Sequence, residues 1–213
     1  MAIADLRRDY RARALTEGEV DPDAIEQFRR WLDEALRAEL LDATAMTLAT
    51  VQADGTPDAR IVLLKDVDAD GFTFYTNYES AKAAQLAAAP QACLVFFWAE
   101  LERQVRVSGT VSRTAAAVSD AYFTSRPLDS RVGAWASPQS RVIPSRDVLE
   151  SAMAEAAARF AGSAVPRPPH WGGYVVAPTV VEFWQGRPNR LHDRLRYRRA
   201  PGATNWTIER LAP

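Results

Sequence analysis

The spacing of hydrophobic and polar positions changes period several times along the chain. Between 21 and 41, Ile25, Phe28, Trp31, Leu32, Ala35 and Leu36 recur three and four residues apart, which predicts an amphipathic helix. Asp21 can cap that helix, and Pro22 suits its first turn. The rhythm then shortens. Residues 45–51 predict a strand, Asp54-Gly55 a tight turn and 59–65 the returning strand, and Asp70-Gly71 turns the chain into 72–76. Ser80 can cap a short alanine-rich helix ending before Pro90. Strands follow over 91–98 and 103–112, helices near 114–124 and 145–160, and further strands over 171–178, 180–185, 192–199 and 205–211. Consecutive hairpins imply antiparallel pairing, and no βαβ rhythm is present. The expectation is a mainly β, α+β fold: an antiparallel barrel with helices packed around it. It should form one domain over 1–213, with an N-terminal helical extension at about 1–41. The linker-like stretch 162–169 is too short to separate domains.

Composition narrows the function classes. At 213 residues, with 47% hydrophobic and 25% charged positions, the chain is an ordinary globular sequence able to bury a full core. A net charge of −1 argues against a dedicated nucleic-acid binder. Cys93 lies in the apolar run Ala92-Cys93-Leu94-Val95-Phe96-Phe97 and reads as a small buried hydrophobe. One cysteine permits no intrachain disulfide. No stretch approaches a membrane span and the start carries no signal-like apolar core, so no membrane partner and a cytoplasmic location are expected. His170 and His192 fit no metal-ligand spacing, and no metal is expected. Neither GxGxxG nor a Walker-type loop occurs. Any redox chemistry would therefore come from an organic cofactor.

Four segments carry candidate chemistry. Val181-Glu182-Phe183-Trp184-Gln185 reads as an aromatic strand, followed by a Gly-Pro-Asn turn and a strand on which Arg190, His192 and Arg194 share one face. The plain alternative is a solvated edge strand. Arg60-Ile61-Val62-Leu63-Leu64-Lys65 suggests a strand buried on both faces and bracketed by two cations. Arg60 and Lys65 have opposite parity, so they serve different partners or need a bulge between them. Ser80-Ala81-Lys82 opens a helix, where free N–H groups attract phosphate. Tyr122, Arg126 and Ser130 recur every four residues, but Pro127 interrupts a helix there, so they would converge through a turn. With Lys65 they make a cradle for a phosphate monoester.

Glu182-Phe183-Trp184-Gln185 followed by Arg190-Leu191-His192-Asp193-Arg194 resembles the signature of the pyridoxine/pyridoxamine 5′-phosphate oxidase family. The likeness runs in order through residues 6–10, 60–65, 74–77, 102–105, 122–127, 133–140, 171–173 and 210–213. It implies an FMN-binding split barrel, Greek-key-like, working as a homodimer with FMN at the interface. It implies oxidation of pyridoxamine and pyridoxine 5′-phosphates to pyridoxal 5′-phosphate, with O2 reduced to H2O2. Carried over by position, Arg60, Ile61, Val62, Leu63, Leu64, Lys65, Tyr75, Thr76, Lys82, Gln104, Gln139, Ser140, Trp184 and Arg194 would bind FMN. Arg7, Tyr10, Lys65, Tyr122, Arg126, Ser130, Arg190 and His192 would bind substrate, and Arg190 and His192 would be catalytic. The resemblance sets 60–82 with Gln104 on one subunit, and Gln139, Ser140, Trp184 and Arg194 on the other. Ala81 departs from the family's usual arginine, which implies a weaker phosphate hold. The alternatives are another split-barrel flavin oxidoreductase, or a non-catalytic carrier of FMN or pyridoxal phosphate.

Overall fold

The structure, a computed structural model of the chain, describes residues 3, 10, 13–200 and 202–213. The first helix, α1, runs Ala24–Arg37 and is shorter than the predicted 21–41. Asp23, not Asp21, is its cap: one carboxylate oxygen accepts the N–H groups of Ile25 (2.7 Å) and Glu26 (3.1 Å). Asp21 instead accepts from the Asp23 N–H and from Arg30. The helix buries Ile25, Phe28, Trp31 and Ala35 of the predicted stripe together with Ala24, while Leu32 is only partly buried and Leu36 is 51% exposed.

The strands are β1 (Ala45–Val51), β2 (Pro57–Leu63), β3 (Asp66–Asp68), β4 (Gly71–Asn77), β5 (Gln91–Trp98), β6 (Arg103–Arg113), β7 (Trp171–Gln185), β8 (Asp193–Arg198) and β9 (Thr207–Arg210). The remaining helices are α2 (Ala81–Ala88), α3 (Ala116–Ser125), α4 (Leu128–Ala136) and α5 (Arg146–Arg159). Among the described residues one sheet runs in the order β2-β1-β5-β6-β7-β4-β3, antiparallel throughout. The long β7 replaces two predicted strands. Its first part pairs with β4 and its last part with β8, which in turn pairs with β9. The sheet curls closed where β2 passes into β3. Leu64 still donates its N–H to Thr44 of the β1 side, while Lys65 donates to Thr73 of β4. This change of partner also answers the parity conflict between Arg60 and Lys65. A bulge opposite Ser108/Gly109, where Thr179 is the extra residue, bends β7 against β6, and a side chain at Gly109 would sit 2.0 Å from the Ala177 carbonyl oxygen.

The core fills the curl. Met46, Leu48, Phe74, Leu94, Val105, Val107, Phe183, Leu195 and Tyr197 are all fully buried. Phe28 of α1 packs 4.8 Å from both Phe72 and Phe96, and Trp31 lies edge-on to Phe183 at 5.2 Å. Burying each such side chain contributes about 1.5–3 kcal/mol. A second cluster, Phe123, Val132, Val165 and Trp171, fastens α3, α4 and α5 to the start of β7. Two expectations fail here. β2 is not buried on both faces: Ile61 is 63% and Leu63 42% exposed, because this edge strand pairs only with β1. Cys93 is half-buried, since on β5 it faces away from the core. Among the described residues, no helix is long and apolar enough to cross a membrane.

Candidate active site

A cleft of about 540 Å³ opens between β2, the end of β4, the start of α2 and the α3–α4 corner. One end is built for an anion. Lys82, in the first turn of α2, is buried, and its Nζ donates to Gln139 Oε1 (2.9 Å), Thr76 Oγ1 (3.2 Å) and Ser80 Oγ (3.4 Å). All three acceptors are neutral. Burial pushes the Lys82 pKa down, the nearby Arg60 charge pushes it further, and Asp58 opposes both. Arg60 lines the same end and pairs with Asp58. Ala81 is exposed at the first position of α2, and Arg141 reaches the same helix start through Glu79 at 3.1 Å.

The other end gathers Lys65, Tyr122, Arg126 and Ser130. α3 stops at Ser125 and α4 starts at Leu128, so Arg126-Pro127 forms the turn through which the three residues converge. Tyr122 stacks on Tyr75 with ring centroids 3.9 Å apart, and Tyr75 stacks on Trp171 at 5.4 Å. The Arg126 guanidinium lies 4.6 Å over the Trp171 ring. Its Nη1 is buried without a hydrogen-bond partner among the described residues, and burial pushes its pKa down. Burial likewise raises the pKa of Tyr122 and of Tyr75, so both phenols stay protonated donors. No Asp, Glu or His is among the described residues lining the cleft.

Ile61, Val62, Leu63, Tyr75, Thr76 and Gln139 also line the cleft. Leu64 does not. Its side chain belongs to the core, because the change of partner at the β2–β3 corner turns it inward. Gln139 reaches Lys82 and Thr76 of its own chain, so it belongs with 60–82 and not with Trp184 as expected. Ser140 follows it, exposed and with a left-handed φ of 70°.

The remaining candidates gather at the far end of β7. Gln104 pairs with Trp184, and Trp184 with Arg194, so these three are neighbours on one outer face. Gln104 therefore joins Trp184 and Arg194, a second correction to the expected grouping. The shared face of Arg190, His192 and Arg194 is also overturned. Pro188 offers no N–H to a ladder, and Asn189 and Arg190 take left-handed φ values of 58° and 63°. The strand resumes only at Asp193, which leaves Arg190 exposed on the turn. His192 sits 4.7 Å from the Trp184 ring and 5.4 Å from Tyr10, and its Nδ1 accepts the Arg187 N–H at 3.1 Å. Arg7 lies outside the described residues.

Several lining residues escaped the sequence. Trp171 forms a wall, and Asn77 holds the Ser137 carbonyl at 3.4 Å while lining the cleft itself. Trp171 was visible as a tryptophan opening a strand before Gly172-Gly173, but nothing in the spacing tied it to Tyr75. Asp58 and Gln85, which grip Arg60, gave no sequence signal.

Residues 32–160 match the family described as pyridoxamine 5′-phosphate oxidase. Residues 171–213 match the pyridoxine 5′-phosphate oxidase C-terminal dimerisation region. A pyridoxine/pyridoxamine 5′-phosphate oxidase of Cupriavidus taiwanensis is 60% identical over 99% of both chains, and one from Thermosynechococcus vestitus is 61% identical over the same shares. The crystal structure of PhzG from Burkholderia lata, in complex with tetrahydrophenazine-1-carboxylic acid, superposes with a TM-score of 0.87 at 30% identity. It covers 94% of this chain and 98% of that one. A pyridoxamine 5′-phosphate oxidase-related, FMN-binding protein from Nostoc punctiforme shares the fold, with a TM-score of 0.71 at 21% identity over 87% and 97% of the two chains.

Proposed function

Because the chain belongs to the pyridoxamine 5′-phosphate oxidase family, we propose that it oxidises pyridoxamine 5′-phosphate and pyridoxine 5′-phosphate to pyridoxal 5′-phosphate. FMN is the cofactor and dioxygen the final acceptor, reduced to hydrogen peroxide. The observation that carries this reading is the cleft's pair of cationic ends. Among the described residues Lys82 meets only neutral oxygens, and Arg126 keeps a buried N–H without a partner. Two unneutralised cations at opposite ends of one cleft suit two monophosphates, one on the cofactor and one on the substrate. That donor set fits FMN, with Lys82, Arg60, Thr76, Gln139 and Ser140 toward its phosphate and Ile61, Val62, Leu63 and Lys65 along its body.

Bound FMN supplies a two-electron acceptor that dioxygen can reoxidise. The chain's own residues bind and orient. Lys65, Tyr122, Arg126 and Ser130 hold the substrate phosphate. Arg190 packs its planar cation over the pyridine ring. His192 accepts the Arg187 N–H at Nδ1, so the neutral ring carries its proton at Nε2 and donates to a ring substituent. With no carboxylate among the described residues lining the cleft, rate enhancement rests on orientation and fixed charge.

A homodimer completes the site. Trp171, which walls the cleft, and Trp184 lie near opposite ends of the 15-residue β7. A straight strand of that length spans roughly 40 Å or more at about 3.3 Å per residue, beyond the reach of one mononucleotide. Trp184, Gln104 and Arg194 therefore serve the cleft of a second copy, and the exposed Ile61 and Leu63 are covered in that interface. A cytoplasmic place of work belongs to the same reading.

The test is calorimetry with FMN and with riboflavin, followed by an aerobic peroxide assay with pyridoxamine 5′-phosphate. Stoichiometric FMN uptake, weaker riboflavin binding and peroxide formation are expected. Equal affinity for riboflavin would remove the cofactor-phosphate assignment. Flavin bound without peroxide would leave a carrier.

A further inference from the structure

We propose that Asp58 and Gln85 are positioning residues for the cofactor phosphate, acting by locking the Arg60 guanidinium. Arg60 has five N–H donors, and four are already engaged. Nη1 donates to the Leu48 carbonyl (3.1 Å) and Thr50 Oγ1 (2.5 Å), while Nη2 donates to Asp58 and to Gln85 Oε1 (3.1 Å). Only Nε–H is left for a ligand among the described residues. Gln85 Nε2 also donates to Asp58 at 2.8 Å, so Asp58, Gln85 and Arg60 form a closed triangle in which each member bonds the other two. The Asp58 carboxyl is held below its ordinary pKa chiefly by that Gln85 hydrogen bond and further by the Arg60 charge, so it stays ionised. Gln85 lies on α2, three residues after Lys82, and Asp58 lies on β2. The triangle thus sets the spacing between the two cations of the anion-binding end. Arg60 becomes a fixed charge with one free donor rather than a flexible clamp.

The inference rests on the FMN reading and makes a prediction of unusual sign. Asp58 is an anion beside an anion site. By charge alone its removal should tighten phosphate binding. If it acts by positioning Arg60, its removal should loosen binding instead.

FMN fluorescence titrations of wild type, Asp58→Ala, Asp58→Asn, Arg60→Ala and the Asp58→Ala/Arg60→Ala double variant decide between these, with the melting temperature of each flavin-free protein recorded. Asp58→Asn keeps an acceptor for Arg60 and should bind within about threefold of wild type, whereas Asp58→Ala should bind roughly tenfold more weakly. In the Arg60→Ala background, Asp58→Ala should add less than about twofold. Equal or tighter FMN binding by Asp58→Ala would overturn the proposal. So would a loss that persists undiminished without Arg60, which would mean that Asp58 acts through the fold. A wild-type protein that never saturates with FMN would instead remove the flavin reading beneath it.

Discussion

Near the two ends of β7, particular cations meet opposite kinds of partner: carboxylates around Arg194, neutral oxygens around Lys82. Near Trp184, Arg194, Arg106 and Arg196 each meet a carboxylate. Arg194 gives Nε and Nη2 to Glu182 (2.9 and 2.8 Å) and Nη1 to the Ala212 carbonyl (2.9 Å). Arg106 shares Glu182 at 3.4 Å, and Arg196 pairs with Glu209. At the Trp171 end, among the described residues, Arg126 stacks on the indole with no carboxylate, and Lys82 touches only neutral oxygens. A buried cation without a counter-charge is costly to the fold unless something supplies the anion. The useful signal is therefore the missing partner and not the number of arginines. Arg194 is already committed within its own strands, so any contact it makes with a flavin in a second copy comes from a rigid, neutralised fork.

Arg126→Leu tests this contrast with the largest expected effect. Losing a charge-assisted phosphate contact of about 1.5–3 kcal/mol should lower kcat/KM for pyridoxamine 5′-phosphate by roughly ten- to 150-fold. FMN affinity should be unchanged, and kcat/KM for unphosphorylated pyridoxamine should hardly move. Equal losses on both substrates would mean that Arg126 matters only as packing on Trp171. The matching change at the other end is Glu182→Ala, which strands Arg194 and Arg106. It should cost stability of about 1–3 kcal/mol, toward the lower end because Arg106 is half-exposed, read as a shift in denaturant midpoint. No stability loss there would erase the distinction between the two ends.

Much of the architecture was legible because it depends on local rules. The stripe Ile25, Phe28, Trp31, Ala35 gave α1, and the Asp54-Gly55 and Asp70-Gly71 turns gave the first hairpins. Boundaries failed where two neighbours compete for one role, as Asp21 and Asp23 do around Pro22. α4 was hidden behind Pro127, which forms the cap of a new helix instead of ending helical structure. Segment chemistry was also legible: Arg60, Lys82, Tyr122 and Arg126 do line one cleft. What a sequence cannot display is which distant segments meet. Gln104 and Gln139 look alike as polar residues in a strand and a loop, yet strand register puts one beside Trp184 and a loop hydrogen bond puts the other on Lys82. Arg190 was misplaced because a parity argument assumes an unbroken strand, and Pro188 breaks it.

Lys82→Met carries the smallest expected effect and the most specific sign. Burial, reinforced by Arg60, lowers the Lys82 pKa below its ordinary value of 10.5. Between the lowered value and 10.5 the unfolded chain binds more protons than the folded one, so the flavin-free protein should gain stability as pH rises through that window. The penalty is fully present below the lowered pKa and relieved as pH reaches 10.5. FMN affinity should run the other way. A phosphate dianion favours the protonated amine, so binding should weaken as pH rises over the same window. Methionine fills similar space without charge. It should therefore flatten both pH profiles, loosen FMN about tenfold, and raise the melting temperature of the flavin-free protein by a few degrees at most. The opposed directions separate a binding lysine from a merely buried one. A variant that is more stable yet holds FMN as tightly as before would show that Lys82 does not meet the phosphate, and that the contrast between the two ends of β7 does not mark the ligand site.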